Sequence, residues 1–550
     1  MDAKVISLGD GALIGVHRAH SQPHGSLTAG YGKASKGLLT VTYRCITTRF
    51  EGNGGLVSRT RKSAAAGGRA PLAIVGVVAI ICGTIAAASP ASAATYVNWP
   101  SYLDGPTHNS YLAGATAITP SNASTVASAW NFMPAAPPVA ALGHQINASP
   151  TVENGVVYIG ANSGIFYALD ETTGAVLWRA NLGYVTSTGT CGTRGITATA
   201  TVAPDPKTGT LTVYVSGGNG YLYALNATTG AVIWKSVIAV QVGTTPNYYD
   251  WSTPTVANNH VYVGIAGQCT DHVRGGLLAF NQSTGKRMAS YHTVPSGMVG
   301  GSIWSSPAVA GNGNVYAGTG NVIAPTPPNE GTSESIVELN GKTLAQVGVW
   351  QLPLSDQAST DDDFGASVSL FSAKLPGTTT KTPMVGTCNK NGVYYALRQG
   401  DLAAGPVWQT RIADVNTGDH GMSAACLAST AVQGSHLFVA GTATTIGGIA
   451  YGGSITELNA ATGKVLWATG LPQQVLGTPA LDGAGVLSVA TIGSGTGATN
   501  ADYLLNASTG SVLATLNNGN SPQFAQPVFA DGYLFDATDT AGLTAYKLAH

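Results

Sequence analysis

Leu169-Asp170-Glu171-Thr172-Thr173-Gly174-Ala175-Val176-Leu177-Trp178 returns as Leu225-Asn226-Ala227-Thr228-Thr229-Gly230-Ala231-Val232-Ile233-Trp234. It appears a third time as Leu458-Asn459-Ala460-Ala461-Thr462-Gly463-Lys464-Val465-Leu466-Trp467. Weaker copies occupy 280–289, 339–350, 397–408 and 505–514. Gly174, Gly230 and Gly285 recur at steps of about 55 residues, a period that belongs to repeated structural modules. Of the 9 tryptophans, Trp178, Trp234, Trp350, Trp408 and Trp467 end a copy, and Trp130 ends an isolated fragment of one.

Around this motif each unit reads as four short strands. In the first unit they fall at 148–152, 156–160, 165–169 and 175–178. Glu153-Asn154-Gly155, Asn162-Ser163-Gly164 and Glu171-Thr172-Thr173-Gly174 connect them, with the Asn-Gly and Thr-Gly turns of short hairpins. Runs such as Val156-Val157-Tyr158-Ile159 suit strands covered on both faces. Four-stranded antiparallel units of this length are propeller blades. A β-solenoid needs a much shorter repeat, and an immunoglobulin array lacks the recurring D/N-x-x-T-G turn.

Seven such units run from about residue 146 to 519, and 526–547 supplies three more strands without a terminal tryptophan strand. Residues 125–132, ending near Trp130, have the missing pattern. The expected fold is therefore all-β: an eight-bladed β-propeller of four-stranded antiparallel blades over 94–550. The N-terminal strand pairs with the last blade and so removes a sheet edge. About 57 residues per blade matches the observed step.

Composition agrees. Lys+Arg number 25 against 26 Asp+Glu, and only 9% of residues are charged, where about 25% is usual. A neutral chain without a basic face does not bind nucleic acid through counterion release. With 44% hydrophobic residues it is not a charged disordered chain either.

Ahead of the repeats, Arg59, Arg61, Lys62 and Arg69 precede an apolar run at 71–88 and an A-S-A ending at Ala93. Residues 59–93 read as a secretory signal peptide. An uncleaved membrane anchor is the alternative, because the run is near the length of a span. Residues 1–58 read as a disordered extension or a mis-called start. The expected location is secreted and extracellular, or associated with the cell envelope. Export allows disulfides among Cys191, Cys269, Cys388 and Cys426. Proximity in sequence suggests Cys191 with Cys269 and Cys388 with Cys426. No C-x-x-C-H occurs, so no c-type haem is expected, and no Cys/His spacing reads as a zinc site.

The repeat resembles the PQQ-type (quinoprotein) propeller repeat, most clearly at 167–178, 223–234 and 458–467. The family contains dehydrogenases that hold pyrroloquinoline quinone (PQQ) and Ca²⁺ in a central funnel, and also noncatalytic scaffolds. Channel-lining positions should lie three residues before a repeated Ser/Thr-Pro or its equivalent. They are Asn147, Thr197, Trp251, Trp304, Gly365, Leu476 and Phe524. The two tryptophans serve either as a platform for a flat cofactor or as a plug of the channel end.

Within that resemblance the closest branch is that of polyvinyl alcohol dehydrogenase, without its cytochrome part. It implies that Trp304 stacks on the quinone and that Lys390 contacts its carbonyls. Arg194, Arg274, Asn147 and Trp251 would flank the cofactor. Asn321, Asp363 and Asp271 would hold Ca²⁺, and Asp363 or Asp361 would act as the catalytic base. The bland alternative for Asp361-Asp362-Asp363 is a solvated loop. Three departures stand against the pattern. A vicinal cysteine pair is reduced to Cys191, an expected glutamate falls on Thr270 beside Asp271, and Asn147 replaces an expected acid. Two function classes follow: a PQQ/Ca-dependent alcohol or polyol dehydrogenase, or a noncatalytic propeller binding an extracellular protein, peptide or glycan.

Overall fold

The computed structural model describes 95–135, 145–185, 194–240, 248–249, 251–267, 273–322, 331–358, 361–414, 426–493, 499–519 and 521–549. Within 1–90, which forms a separate unit, the backbone gives one sheet of Val5–Leu8, Ala12–Gly15 and Gly30–Tyr31. Among the described residues no helix is long and apolar enough to cross a membrane.

Residues 91–550 form an eight-bladed propeller of four-stranded antiparallel sheets. Blade 1 runs from its innermost strand Thr151–Glu153 through Val156–Gly160 and Ile165–Asp170 to the outer Val176–Asn181. Blades 2 to 7 repeat this order. Blade 8 combines Val528–Ala530, Tyr533–Thr538 and Gly542–Leu548 with Val126–Phe132 from the front of the chain. The closing strand is the one expected from the sequence.

The repeat motif works between blades. Asp170 Oδ1 accepts the N–H groups of Thr172 and Thr173, which winds the turn, and the same Asx turn recurs at Asn226. The turn's glycine lies under the tryptophan of the preceding blade. Gly230 has φ 70°, and a Cβ there would sit 2.5 Å from the Trp178 ring. The Trp178 indole N–H donates to the Ala227 carbonyl at 2.8 Å. Trp130, Trp234, Trp408 and Trp467 make the same bond across their own seams. Apolar clusters fill each interface, as with Tyr158, Phe166, Val213 and Leu225 between blades 1 and 2.

Around the axis the Ser/Thr of the Ser/Thr-Pro step forms a belt. Ser306 N–H donates to Ser367 Oγ, Ser367 N–H to Ser429 Oγ, and Ser429 N–H to Thr478 Oγ1. Gln526 N–H donates to Ser149 Oγ and thereby joins blade 8 to blade 1. These side chains satisfy main-chain donors that a propeller axis would otherwise leave buried and unpaired.

One end of the channel is closed by a segment the repeats do not announce. Residues 96–112 thread across it and accept main-chain bonds from the innermost strands in turn. Val202 N–H donates to Pro100 O, Val309 to Pro106, Leu370 to Thr107, Val432 to Asn109 and Leu481 to Ser110. Tyr111–Leu112 then adds a parallel strand to blade 7. A cavity of about 160 Å³ remains between this strap and blades 2 and 3, beside Tyr102, His108, Thr201 and Thr253.

At the closure seam Glu171 of blade 1 meets Asp531 of blade 8, whose Oδ1 accepts the Val97 N–H at 2.6 Å. Burial, then Asp531, pushes the Glu171 carboxyl up to about 8. A folded-state value above the ordinary carboxylate range means that this contact stabilises fully at low pH and is lost as pH rises through 8. Glu171→Gln keeps a donor toward Asp531 without a titrating proton. The variant's melting temperature should fall less than wild type's between pH 5 and 8.5. Parallel curves would remove the seam from the account.

Candidate active site

The site grows from two kinds of backbone position. The start of an innermost strand supplies Asn147, Trp251, Trp304 and Asp363. The stretch just after a second strand supplies Asn162, Asn321, Lys390 and Asp539. In an antiparallel blade those positions lie at one end, so both sets reach the same mouth of the channel. The strap closes the other end, since Trp304 begins the segment that ends at Val309.

Trp304, Asn321, Asp361, Asp363 and Lys390 come together directly. The Trp304 indole N–H donates to Asp363 Oδ2 at 3.0 Å, and the Asn321 N–H donates to Asp363 Oδ1 at 2.5 Å. Lys390 Nζ bridges Asp361 Oδ1 at 2.7 Å and Asp363 Oδ2 at 3.1 Å. It also lies 5.6 Å from the Trp304 ring centre, within cation–π range. The Lys390 main-chain N–H donates to the Asp363 carbonyl, fixing one segment on the other. Gly365 leaves room for the indole, because a Cβ there would lie 2.1 Å from Trp304 Cζ2.

The acidic run is not a solvated loop. Side-chain exposure is 8% at Asp363 and 23% at Asp361. Asp362 points elsewhere: its carboxylate accepts the Ala358 N–H, and its carbonyl accepts the Asn389 amide at 2.6 Å. Burial, and then Asp363, raises the Asp361 carboxyl, with Lys390 opposing. For Lys390, burial acts downward, but Asp363 and Asp361 outweigh it and hold the ammonium above its ordinary range.

A second group stands on blades 8, 1, 2 and 3. The Arg194 guanidinium lies 5.9 Å from the Trp251 ring centre, and its buried Nε has no hydrogen-bond partner. Asn147 donates to Asp539 Oδ1 at 2.6 Å and accepts from the Asn162 amide at 2.8 Å. Burial pushes Asp539 up to about 7, against Arg194 and the Asn147 bond. Asp539 escaped the sequence reading because the last blade lacks the repeat motif. It follows Tyr533–Thr538 as Lys390 follows Thr382–Cys388, and that alignment would have found it.

Arg274 is not brought into either group by any bond found. Its Nε donates to the Val294 carbonyl at 2.8 Å, bracing the link from blade 3 to blade 4. Thr197 and Leu476 are ordinary buried positions of the ring. Asp271, Thr270, Cys191 and Cys269 lie outside the described residues. Cys388 and Cys426 form the expected disulfide, spanning 38 residues between blades 5 and 6.

A flat anionic cofactor fits what is present: an unused guanidinium donor, an ammonium and two indoles. Calcium fits less well. Asp363 already accepts from Trp304, Asn321 and Lys390. The main-chain carbonyl of Asn321 accepts the Gly301 N–H at 2.7 Å. Among the described residues no three acidic, histidine or cysteine side chains group as a metal site.

Comparison with known proteins points the same way. The family described as "Glucose/ethanol/alcohol dehydrogenase, beta-propeller domain" matches 99–321, and that of "Outer membrane protein assembly factor BamB" matches 400–549. The chain is 27% identical over 361 residues to lupanine 17-hydroxylase [cytochrome c] of Pseudomonas sp, covering 58% of this chain and 49% of that protein. It is 24% identical over 306 residues to polyvinylalcohol dehydrogenase of Sphingopyxis sp. (strain 113P3), covering 48% and 44%. The chain thus spans about half the length, or less, of these relatives. The crystal structure of quinohemoprotein alcohol dehydrogenase from Comamonas testosteroni superimposes with a TM-score of 0.64 at 18% identity. That match covers 83% of this chain and 81% of the other, and it shows the likeness of fold.

Proposed function

The chain belongs to the PQQ-type β-propeller repeat family, and from that premise we propose that it is an exported quinone-dependent dehydrogenase of alcohols or polyols. The observation that carries the proposal is the bonded set of Trp304, Asp363, Asp361 and Lys390 at the channel end opposite the strap. Trp304 and Trp251 would face the flat ring system, with Lys390, Arg194 and Asn147 as its polar partners. A quinone held by these residues would supply the acceptor for the hydride that leaves the alcohol carbon. The protein handles the proton. Asp361 is the more exposed carboxylate of the pair, and burial with Asp363 beside it raises its carboxyl above the ordinary range, so it accepts the hydroxyl proton. Lys390 stabilises the resulting pair and the charge that develops beside it. The described residues do not assemble a calcium set, so no step is assigned to Ca²⁺.

Export is supported by the basic, apolar and A-S-A order of 59–93 and by the Cys388–Cys426 disulfide. A noncatalytic scaffold on an extracellular protein, peptide or glycan is the second reading. It draws on the three donors that already occupy Asp363 and on the scaffold family matched at 400–549.

The test is uptake of PQQ by the full chain, with and without Ca²⁺, followed by quinone absorbance and dye-linked oxidation of alcohols. Gly365→Ala pushes the indole off Asp363 and should weaken uptake at least about tenfold while the fold is kept, since packed sites give little at such contacts. No uptake at high micromolar PQQ would leave the scaffold reading.

A further inference from the structure

Under the strap, at the channel end opposite Trp304 and Lys390, the cavity of about 160 Å³ lies against blades 2 and 3. Its walls are mainly apolar: Pro100, Pro106, Val202, Ala203 and Val256, with the Tyr102 ring. Most of its polar side chains are already engaged. Thr201 and Thr255 donate to the Pro254 and Pro307 carbonyls at 2.6 Å. The Tyr102 hydroxyl pairs with Thr478 Oγ1 at 2.9 Å, and Ser101 Oγ accepts the Gly105 N–H at 2.8 Å.

Two polar atoms are not engaged. His108 is 2% exposed, and its Nδ1 lies 3.1 Å from the Val368 carbonyl of blade 5. A carbonyl only accepts, so Nδ1 carries the proton and Nε2 the lone pair. Burial pushes the imidazole down to about 4, which keeps it in this neutral form. The two ring nitrogens point away from each other, so Nε2 turns from blade 5 toward the cavity. No partner meets it there among the described residues. The second atom is Thr253 Oγ1. Around the axis each belt hydroxyl accepts an N–H from the neighbouring blade, as Thr199 does from Ser149 and Ser306 from Thr253. No such bond reaches the Thr253 hydroxyl among the described residues, and Thr253 lines the cavity.

Water alone fills this space poorly. At about 30 Å³ each, roughly five waters would share it, and each needs about two to four polar partners. Water held so loosely is displaced with gain by an apolar group, and a cavity of about 150 Å³ admits benzene. No charged side chain lines the cavity, so an ion would be buried without a counter-charge. Exposed Pro106 and half-exposed Gly105 form a rim through which a ligand enters.

We propose that the strap cavity binds a small uncharged hydroxyl compound of the phenol type. Its O–H donates to His108 Nε2, its oxygen accepts from the Thr253 hydroxyl, and its apolar body lies against the proline and valine walls. The site is independent of the quinone reading.

The experiment is isothermal titration calorimetry of the full chain with phenol and with toluene, which has the same shape without the donor. Phenol should bind with a dissociation constant below about 1 mM, as well-fitted ligands of this size do. Toluene should bind at least about tenfold more weakly, since it leaves Nε2 unpaired. In His108→Phe the two should bind alike, and Thr253→Val should weaken phenol about threefold or more. Ala203→Leu puts an isopropyl group into the cavity and should abolish binding of both. Toluene binding to wild type as tightly as phenol overturns the proposal, whether or not any variant folds. A preference for phenol that survives in His108→Phe does so too. Phenol binding that persists in Ala203→Leu and disappears in Trp251→Ala would place the ligand at the other end of the channel and overturn it. No heat from phenol at millimolar concentration would mean that water keeps the cavity, which also overturns it.

Discussion

Lys390→Met is expected to lower folding stability by about 3–5 kcal/mol at pH 8, the range for removing one partner of a buried charge pair. The ammonium lies between Asp361 and Asp363, both largely buried. Without it two carboxylates face each other with only the Trp304 and Asn321 N–H groups to compensate. Asp361 is already raised by burial and by Asp363, and losing Lys390 raises it further. The sign is set by that direction: a folded-state value above the unfolded one means stability is lost as pH rises. The deficit should therefore be smaller at pH 5 than at pH 8, because protonation of Asp361 is favoured as pH falls. Adding Asp361→Asn should restore part of the loss at pH 8. Urea unfolding at both pH values decides it. A deficit equal at pH 5 and pH 8, or below about 1 kcal/mol at pH 8, would mean that water already carries the charges and that the cluster is no closed site.

The same cluster shows what a sequence can disclose. Trp304 and Asn321 stand on blade 4 and Asp363 and Lys390 on blade 5, yet each sits at a repeated place in its blade. Once the period is known, their convergence follows from the closed ring. The closing strand was legible for a related reason: Val126–Phe132 carries the tryptophan pattern that the last blade lacks. Cys388–Cys426 was legible only as a guess from proximity.

The strap was not legible. Residues 96–112 match no repeat, and their bonds to the blades are mostly main-chain bonds that any sequence could make. Leu103, Asp104, His108 and Ser110 adopt positive φ without being glycine, so the usual turn signals are missing where the chain turns. Asp539 was missed because it lies outside the motif used for alignment. Arg274 matched an arginine-glycine pattern, but its Nε is bound to Val294. A local pattern fixes the backbone position but leaves the side chain's direction open.

Trp130→Ala is expected to cost about 3–5 kcal/mol, as large aromatic truncations in packed interfaces do. It should act in a way that no other repeat tryptophan does. Trp130 donates to the Glu171 carbonyl at 2.9 Å, lies 5.9 Å from the Phe535 ring and covers Gly174. Trp178 makes equivalent contacts, but between blades 1 and 2, which follow each other along the chain. What sets Trp130 apart is that its own strand closes the ring, Val126–Phe132 being paired to Gly542–Leu548, and its ring packs on Phe535 of the C-terminal strands. Removing it loosens Val126–Phe132 from the other three strands of blade 8, which come from the opposite end of the chain and have no short covalent link to it. Hydrogen exchange should therefore show amides of 126–132 and 542–548 losing protection by about a hundredfold more in Trp130→Ala than in Trp178→Ala, at matched loss of melting temperature. If both variants lose protection evenly around the ring, the closure is as strong as any internal seam. The Glu171–Asp531 contact and the strap would then hold the ends without help from the tryptophan.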